Sequence, residues 1–434
     1  MKLEKIKNMK TFNYPSNWNA LTQRPSIETE NLEAVVKQIL LGVKEQGNLA
    51  VKEYTAKFDQ VRLDDFKVSE AEIQAAIALV PKALKEAIQQ AKKNIEVFHS
   101  SQKELVQVVE TMEGISCWRK SVAIDKVGLY IPAGTAPLFS TVLMLGIPAK
   151  LAGCQEIILC SPPTKEGTIN PVILYAASLV GCTEIFKIGG VQAIGAMAYG
   201  TETVPKVYKI FGPGNQYVTC AKQLVSQQGL AIDMPAGPSE LLVWADKTAN
   251  PAFVAADLLS QAEHGVDSQV VLVSDNARVL EQVQVAIKEQ VEVLPRKDIA
   301  QAALENSLAI LLKTSKEIIQ FINEYAPEHL ILNLKNAEEI ADKITNAGSV
   351  FLGNFTPESL GDYASGTNHT LPTNGFACNY SGISLDSFVK KITFQKATAQ
   401  GLKNIGWAVE LMAAAEELEA HKNAVTIRLK SLES

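Results

Sequence analysis

Only five histidines occur in this 434-residue chain, and four of them sit inside dense polar motifs. They are His264 in Ser260-Gln-Ala-Glu-His-Gly265, His329 in Ala326-Pro-Glu-His-Leu330, His369 in Gly361-Asp-Tyr-Ala-Ser-Gly-Thr-Asn-His369, and His421 in Glu419-Ala-His-Lys-Asn423. Imidazole is the commonest metal ligand and the usual proton carrier near neutral pH. Used so sparingly, and placed beside Gln261, Glu328 and Asp362, these histidines read as parts of one site that exists only after folding. The chain reads as a metalloenzyme.

Taken singly, each motif also has a plainer reading. Gln261 and His264 are three residues apart at the end of a helix expected over 251–263. That spacing puts both on one face, where two ligands reach one ion. Alternatively His264 faces the helix dipole and Gly265 is a C-cap. Glu328 and His329, at the entry to a strand, point in different directions if extended, or are solvated at an edge. Asp362 equally reads as the cap of a turn. His421, at the end of a helix, reads alternatively as a partner of the last carbonyls. His99, on an amphipathic helix, reads as structural.

No G-x-G-x-x-G follows a strand. Three glycine-bearing turns stand there instead: Tyr130-Ile-Pro-Ala-Gly134, Ile188-Gly-Gly-Val-Gln192 and Phe211-Gly-Pro-Gly-Asn215. Ligands of open α/β sheets bind outside the carboxyl ends of the strands. The three turns therefore offer a dinucleotide shelf, or are tight turns without a ligand.

The elements that must carry these residues follow from periodicity. Apolar spacing predicts helices over 31–43 and 70–97. Strands are expected at 127–131, 156–160, 184–188 and 207–210, alternating with helices at 141–152, 171–180, 192–199 and 215–226. After Pro235-Ala-Gly-Pro238 the alternation restarts, with strands at 241–244, 269–273 and 308–312. Helices at 251–263, 277–290 and 316–325 accompany them, and a further helix and strand run through 337–351. Such alternation makes βαβ units around parallel sheets. The fold class is α/β, with two tandem Rossmann-like parallel-sheet domains, incomplete and doubly wound, and small extensions at both ends. Expected divisions are an N-terminal extension (1–25), a domain of 26–126 plus 239–380, a domain of 127–238, and a tail (381–434). The helical N-terminal part is expected to pack on the second sheet. Residues 353–381 are expected to form a long irregular loop of the kind that carries function. The tail reads as a helix over 397–420 and a strand over 424–429, with too little core to stand alone, so it must dock, a partner subunit being one candidate.

Composition narrows the class. With 47% hydrophobic and 20% charged residues and a net charge of −6, the chain is globular and lacks the basic face that nucleic acid requires. The longest apolar stretch, Thr141–Ala149, ends at Lys150, far short of the roughly 20 residues of a membrane span. Met1-Lys-Leu-Glu-Lys-Ile-Lys has no apolar segment behind it, so no secretory signal is expected. Six cysteines without C-x-x-C spacing fit a reduced, cytoplasmic protein. Cys154 has no neighbouring His or basic residue to activate it as a nucleophile.

In order along the chain, Tyr-Ile-Pro-Ala-Gly, Gly-Gly-Val-Gln-Ala-Ile, Phe-Gly-Pro-Gly-Asn, Pro-Ala-Gly-Pro-Ser-Glu, Gln-Ala-Glu-His-Gly, Ala-Pro-Glu-His-Leu, Gly-Asp-Tyr-Ala-Ser-Gly-Thr-Asn-His-Thr-Leu-Pro-Thr and Ala-His-Lys-Asn-Ala-Val resemble histidinol dehydrogenase. The resemblance runs from about residue 25 to the end. It implies oxidation of L-histidinol through L-histidinaldehyde to L-histidine, the last step of histidine biosynthesis, with two NAD and one zinc. Carried over residue by residue, it makes Gln261, His264, Asp362 and His421 the zinc ligands and Glu328 and His329 the acid/base pair. Ser239, His369 and Glu416 would contact substrate together with Gln261, His264, His329, Asp362 and His421. Tyr130, Gln192 and Asn215 would contact NAD. The resemblance also implies a homodimer with shared sites, in which Glu416 and His421 act in trans. Cys378 stands where other members often carry basic or small residues.

The chemistry of the residues agrees. A Gln/His/Asp/His set offers nitrogen and oxygen without thiolate, which suits zinc and could accept manganese. Alcohol oxidation needs a base near neutral pKa, a role for His329. Aldehyde oxidation needs an activated water, a role for Glu328. Three other readings compete: a zinc hydrolase in which Glu328 activates metal-bound water, a non-catalytic paralogue, and a cysteine-dependent aldehyde dehydrogenase.

Overall fold

The computed structural model describes residues 9–15, 18–24, 31–133, 137–235 and 237–433. Gly134 and Ala236 of the expected turns, residues 1–8 and Ser26 lie outside the described residues. Two compact units are present: residues 1–101 with 124–387, and residues 102–123 with 388–434.

In the first unit, strand β1 (Lys10–Asn13) precedes helices α1 (Leu32–Gln46), α2 (Asn48–Tyr54), α3 (Glu70–Leu79) and α4 (Lys82–Ser100). A π-helical turn at Thr55–Asp59 follows α2. The single helix expected over 70–97 is two. Pro81 donates no N–H, sits at φ −58° and ψ 143°, and leaves Val80 extended at φ −74° and ψ 126°.

Chain order then passes through β2 (Val108–Met112) and β3 (Ile115–Ala123) of the second unit. The first sheet follows with β4 (Lys126–Tyr130), α5 (Phe139–Ala152), β5 (Glu156–Ser161), α6 (Pro171–Val180), β6 (Glu184–Lys187), α7 (Gly190–Tyr199), β7 (Lys209–Phe211), α8 (Gln216–Gln227) and β8 (Ala231–Ile232). Its strands are all parallel, in the order β6-β5-β4-β7-β8. Counted along the chain that is 3-2-1-4-5, five of the six strands of the dinucleotide-binding order.

The N-terminal helices cover this first sheet, not the second as expected. Helix α1 packs on α7 and α8, α3 on α6, and α4 on α5. The reason is α5 itself, which is buried from Ser140 to Ala149. A helix that is apolar all round needs cover on both sides, and the buried face of α4 (Ile88, Ala91, Ile95) supplies it.

The second sheet comprises β9 (Glu240–Ala245), α9 (Pro251–Ala262), β10 (Gln269–Ser274), α10 (Ala277–Val291), an additional helix α11 (Lys297–Glu305), β11 (Leu308–Leu311), α12 (Ser315–Tyr325), β12 (His329–Asn333), α13 (Ala337–Ala341) and β13 (Ser349–Leu352). Its order is β1-β11-β10-β9-β12-β13, parallel throughout. Both faces are buried: Leu241 and Val243 enter one core and Leu242 and Trp244 another. This explains the unbroken apolar strands. The expected N-terminal extension is therefore no separate piece, since β1 completes this sheet. The expected irregular loop contains helix α14 (Glu358–Tyr363) and a short 3₁₀ turn at Phe376–Cys378.

The second unit pairs β14 (Val389–Ala397) antiparallel with β3, which pairs with β2. Helices α15 (Ala399–Ala415) and α16 (Glu419–Ser431) complete it. The tail thus has strand partners from 102–123, which sequence reading had assigned elsewhere. Residues 424–429, expected as a strand, lie within α16. Their β-branched run Val425-Thr426-Ile427 suggests a strand, but packing of α16 on α15 decides, with Leu429 and Val425 closing over Gly406.

Candidate active site

Each sheet contributes one edge to a cavity of about 410 Å³. From the first sheet come the turns beyond the carboxyl ends of the strands: Pro132 after β4, Gly212–Asn215 after β7, and Asp233 after β8. From the second come residues at the amino ends: Ser239 before β9, Ser268 before β10, and Glu328 and His329 at β12. The first sheet follows the rule for open α/β folds; the second presents its opposite edge.

Local structure places each side chain. Ala326 closes α12 in the left-handed conformation (φ 49°), and Pro327 stops the helix. His329 is thereby delivered at the first residue of β12 and Glu328 just before it, both buried. The N–H of Glu240 donates to Glu328 Oε2 (2.9 Å). The Glu240 carbonyl can only accept, so the contact at 3.3 Å makes His329 Nδ1 a donor and leaves the lone pair on Nε2. Glu240 is itself held by Arg24, whose Nε bonds its carboxylate at 2.6 Å and whose guanidinium lies 3.6 Å from the Tyr325 ring centroid. Gln261, fully buried, is the penultimate residue of α9, and His264 follows in a turn, its N–H bonding the Gln261 carbonyl. Glu263 is the C-cap, so the Gly265 cap expected from sequence is not formed.

Helix α14 turns two carboxyls toward the His329 ring. Glu358 Oε1 is 3.5 Å from Nδ1, and Asp362 Oδ1 is 3.7 Å from Nε2. One ligand atom from each of His329, Glu358 and Asp362 fits within 4.8 Å. Burial raises Asp362 to about 7. It lifts Glu358 and Glu328 well above the ordinary carboxyl range, with neighbouring carboxylates adding to the effect. Burial lowers His329 to about 3 and His369 to about 4. Burial also draws His264 down, as does Arg296, while Glu263 opposes it. Neutral imidazoles and crowded carboxyls describe a site that lacks a positive charge. Both amide atoms of Gln261, Nε2 of His329 and Oε2 of Glu358 are buried without a hydrogen-bond partner. Such groups call for a partner, an ordered water or an ion, and the donor set of nitrogen and oxygen fits zinc.

The family model for histidinol dehydrogenase matches residues 22–429. The chain belongs to the histidinol dehydrogenase family. It is 61% identical to histidinol dehydrogenase of Bacteroides thetaiotaomicron over 426 residues, covering 98% of this chain and all of that one. It is 52% identical to the Yersinia pestis histidinol dehydrogenase over 97% of both chains. The crystal structure of histidinol dehydrogenase from Elizabethkingia anophelis superposes with a TM-score of 0.97 at 59% identity, covering 99% of this chain and 100% of that one. Family membership makes the chain an oxidoreductase.

Among the residues singled out from sequence, the cavity of this histidinol dehydrogenase family member gathers Ser239, Gln261, His264, Glu328, His329, Asp362, His369 and Asn215. Tyr130 and Gln192 do not line it. They form a neighbouring buried cluster in which the Tyr130 hydroxyl accepts from Gly190 N (3.1 Å) and Gln192 Nε2 donates to Asp59 (3.2 Å). Glu416 and His421 belong to the second unit. Glu416 caps the end of α15, and His421 lies in the first turn of α16, at the amino end of a helix and not at the carboxyl end where it was expected to meet the last carbonyls. His99 is fully buried at the end of α4, its ring edge-on to Phe98.

Sequence reasoning missed Glu358, Asp59, and a buried pair in the cavity wall, Lys222 and Asp233. A signal for Glu358 existed: it stands four residues before Asp362, on the same helical face. No cysteine lines the cavity among the described residues, and burial pushes Cys154 up to about 12. A cysteine nucleophile therefore has no support.

Proposed function

We propose that this chain oxidises L-histidinol through L-histidinaldehyde to L-histidine, the last step of histidine biosynthesis, using two NAD and one zinc. The observation that carries the reading is the convergence of buried, unpartnered Gln261 and His329 atoms with Asp362 in a cavity whose far wall is the Gly212–Asn215 turn. Gln261, His264 and Asp362 would hold the ion, and His421 of a second copy would complete the set. Tyr130, Gln192 and Asn215 would hold NAD. Gln192 Oε1 is buried without a partner, as a ligand-facing amide would be. When bound, zinc supplies a fixed charge that anchors the substrate's imidazole and amine, and NAD accepts hydride.

Ser239 and His369 line the same cavity and would contact substrate; Glu416 would join them in trans. His329 takes the alcohol proton on Nε2, since Nδ1 is committed to the Glu240 carbonyl. Glu358 and Asp362 stand 3.5 and 3.7 Å from the ring; in their ionised forms they would favour the imidazolium against the burial that depresses it. Glu328, adjacent and also buried, would in its ionised form take the proton of the water that adds to the aldehyde. The walls of the cavity hold the reactive aldehyde between the two steps.

The second unit exposes Leu105, Trp407, Leu411 and Met412, apolar surface suited to docking on a second copy of the chain. No helix among the described residues is long and apolar enough to cross a membrane. All six cysteines are free, which fits a reducing cytoplasm.

The test is NADH formation with limiting L-histidinol and excess NAD, with and without a chelator. About two NADH per histidinol, lost on chelation and restored by zinc, is the expected result. One NADH per histidinol would remove the Glu328 role, and none would remove the reading.

A further inference from the structure

We infer that Lys222 and Asp233 are positioning residues for the dinucleotide: their buried ion pair clamps the Gly212 turn in the shape that presents Asn215 to NAD. The inference rests on the NAD site proposed above.

The pair is buried in the cavity wall, with Nζ 2.5 Å from Oδ1 and side chains 3% and 2% exposed. Lysine on the inward face of α8, between Val218 and Val225, has no packing role that an apolar residue would not fill better. Its partners explain its presence. Lys222 Nζ donates to the Gly212 carbonyl (2.8 Å), and Asp233 Oδ2 accepts from the Gly212 N–H (2.8 Å). One ion pair thus satisfies both backbone groups of a single glycine. That glycine has φ +129°, and a Cβ there would stand 2.0 Å from the carbonyl oxygen of Tyr130. The clamp therefore presses the turn after β7 against the end of β4, where Tyr130 lies.

Two residues on, Gly214 packs so closely on α8 that a Cβ would reach Val218. Asn215 then caps α8, its Oδ1 accepting from Tyr217 and Val218 N–H groups. The turn is thus fixed at both ends, by the ion pair and by the cap. No G-x-G-x-x-G is present to do this by glycine geometry, and the Lys–Asp clamp takes its place.

The test uses the zinc-loaded, full-length protein and the paired variant Lys222→Met with Asp233→Leu, which removes both charges without leaving one buried alone. NAD binding is read by titration calorimetry and by the NAD-induced rise in melting temperature, beside zinc content. We expect NAD affinity to fall at least tenfold, with zinc content and histidinol binding unchanged. KM for NAD should rise while kcat at saturating NAD stays within about threefold. Asp233→Asn keeps volume and one acceptor and serves if the paired variant does not fold; a three- to tenfold loss of NAD affinity is expected there. Unchanged NAD affinity in either folded variant overturns the clamp. Absence of NAD binding by the wild-type protein would instead overturn the parent reading, and the clamp with it.

Discussion

The backbone N–H of Glu240 donates to Oε2 of Glu328 at 2.9 Å. The carbonyl of the same residue faces His329 Nδ1, so one peptide segment at the start of β9 orients both proposed proton carriers. Neither contact uses the side chain of residue 240, whose carboxylate is bonded instead to Arg24 and to the Asn374 N–H.

Glu328→Gln keeps an acceptor for the Glu240 N–H but cannot take a proton. Alcohol oxidation should slow by no more than a few-fold and aldehyde oxidation by about 100-fold or more. Single-turnover assays started from histidinol and from histidinaldehyde separate the steps. Equal losses in both would sink the division of labour.

Glu358→Gln replaces a buried carboxyl by an isosteric amide beside the proposed ligands. The fold should persist, because the His329 ring is held by the Glu240 carbonyl. Zinc affinity should fall about 10- to 100-fold, measured by competition with a chromophoric chelator. An affinity within threefold of wild type would reduce Glu358 to a filler of space.

Zinc binding should release protons, and the sign follows from the site. His329 and His369 are already neutral above about 3 and 4, so they offer no proton near neutrality. Asp362, raised to about 7, still holds one in the metal-free fold below that pH. A cation must displace it, so affinity should weaken by about tenfold per pH unit and per proton below 7, and level off above. Calorimetry in buffers of different ionisation enthalpy counts the protons. No release at pH 6 would mean Asp362 is ionised without metal or is not a ligand.

Gly146→Ala tests the first sheet's cover. A Cβ there would lie 2.3 Å from Val180 Cγ2, where α5 meets α6. Overpacking of this kind costs about 1–3 kcal/mol, read as a lower denaturant midpoint with little change in slope. A variant as stable as wild type would show that the two helices can separate freely.

Sequence reading captured what periodicity controls and lost what tertiary contact controls. Helix α6 was legible to the residue because Asn170, Pro171 and Gly181 mark its ends. The central strands of both sheets were legible because burial on two faces leaves unbroken apolar runs, whereas the edge strands β1 and β8, short and partly exposed, were not. The β2–β3–β14 sheet escaped because its exposed, mixed residues carry no such run: Val108 and Val109 are exposed, and Lys391 pairs with Glu104. In the site, polar residues flanked by their own motif were readable. Glu358 was not, lying in a segment taken as irregular, and Lys222 was hidden in an otherwise ordinary helix.

The order 3-2-1-4-5 occurs twice in this chain, once entered from the carboxyl edge and once from the amino edge. A doubled architecture has therefore not yielded a doubled site. Exchanging corresponding segments between the halves would preserve a strand and a helix while pointing their loops away from the reaction. Each half contributes one rim to the cavity, and the proposed chemistry would depend on the unlike rims facing each other.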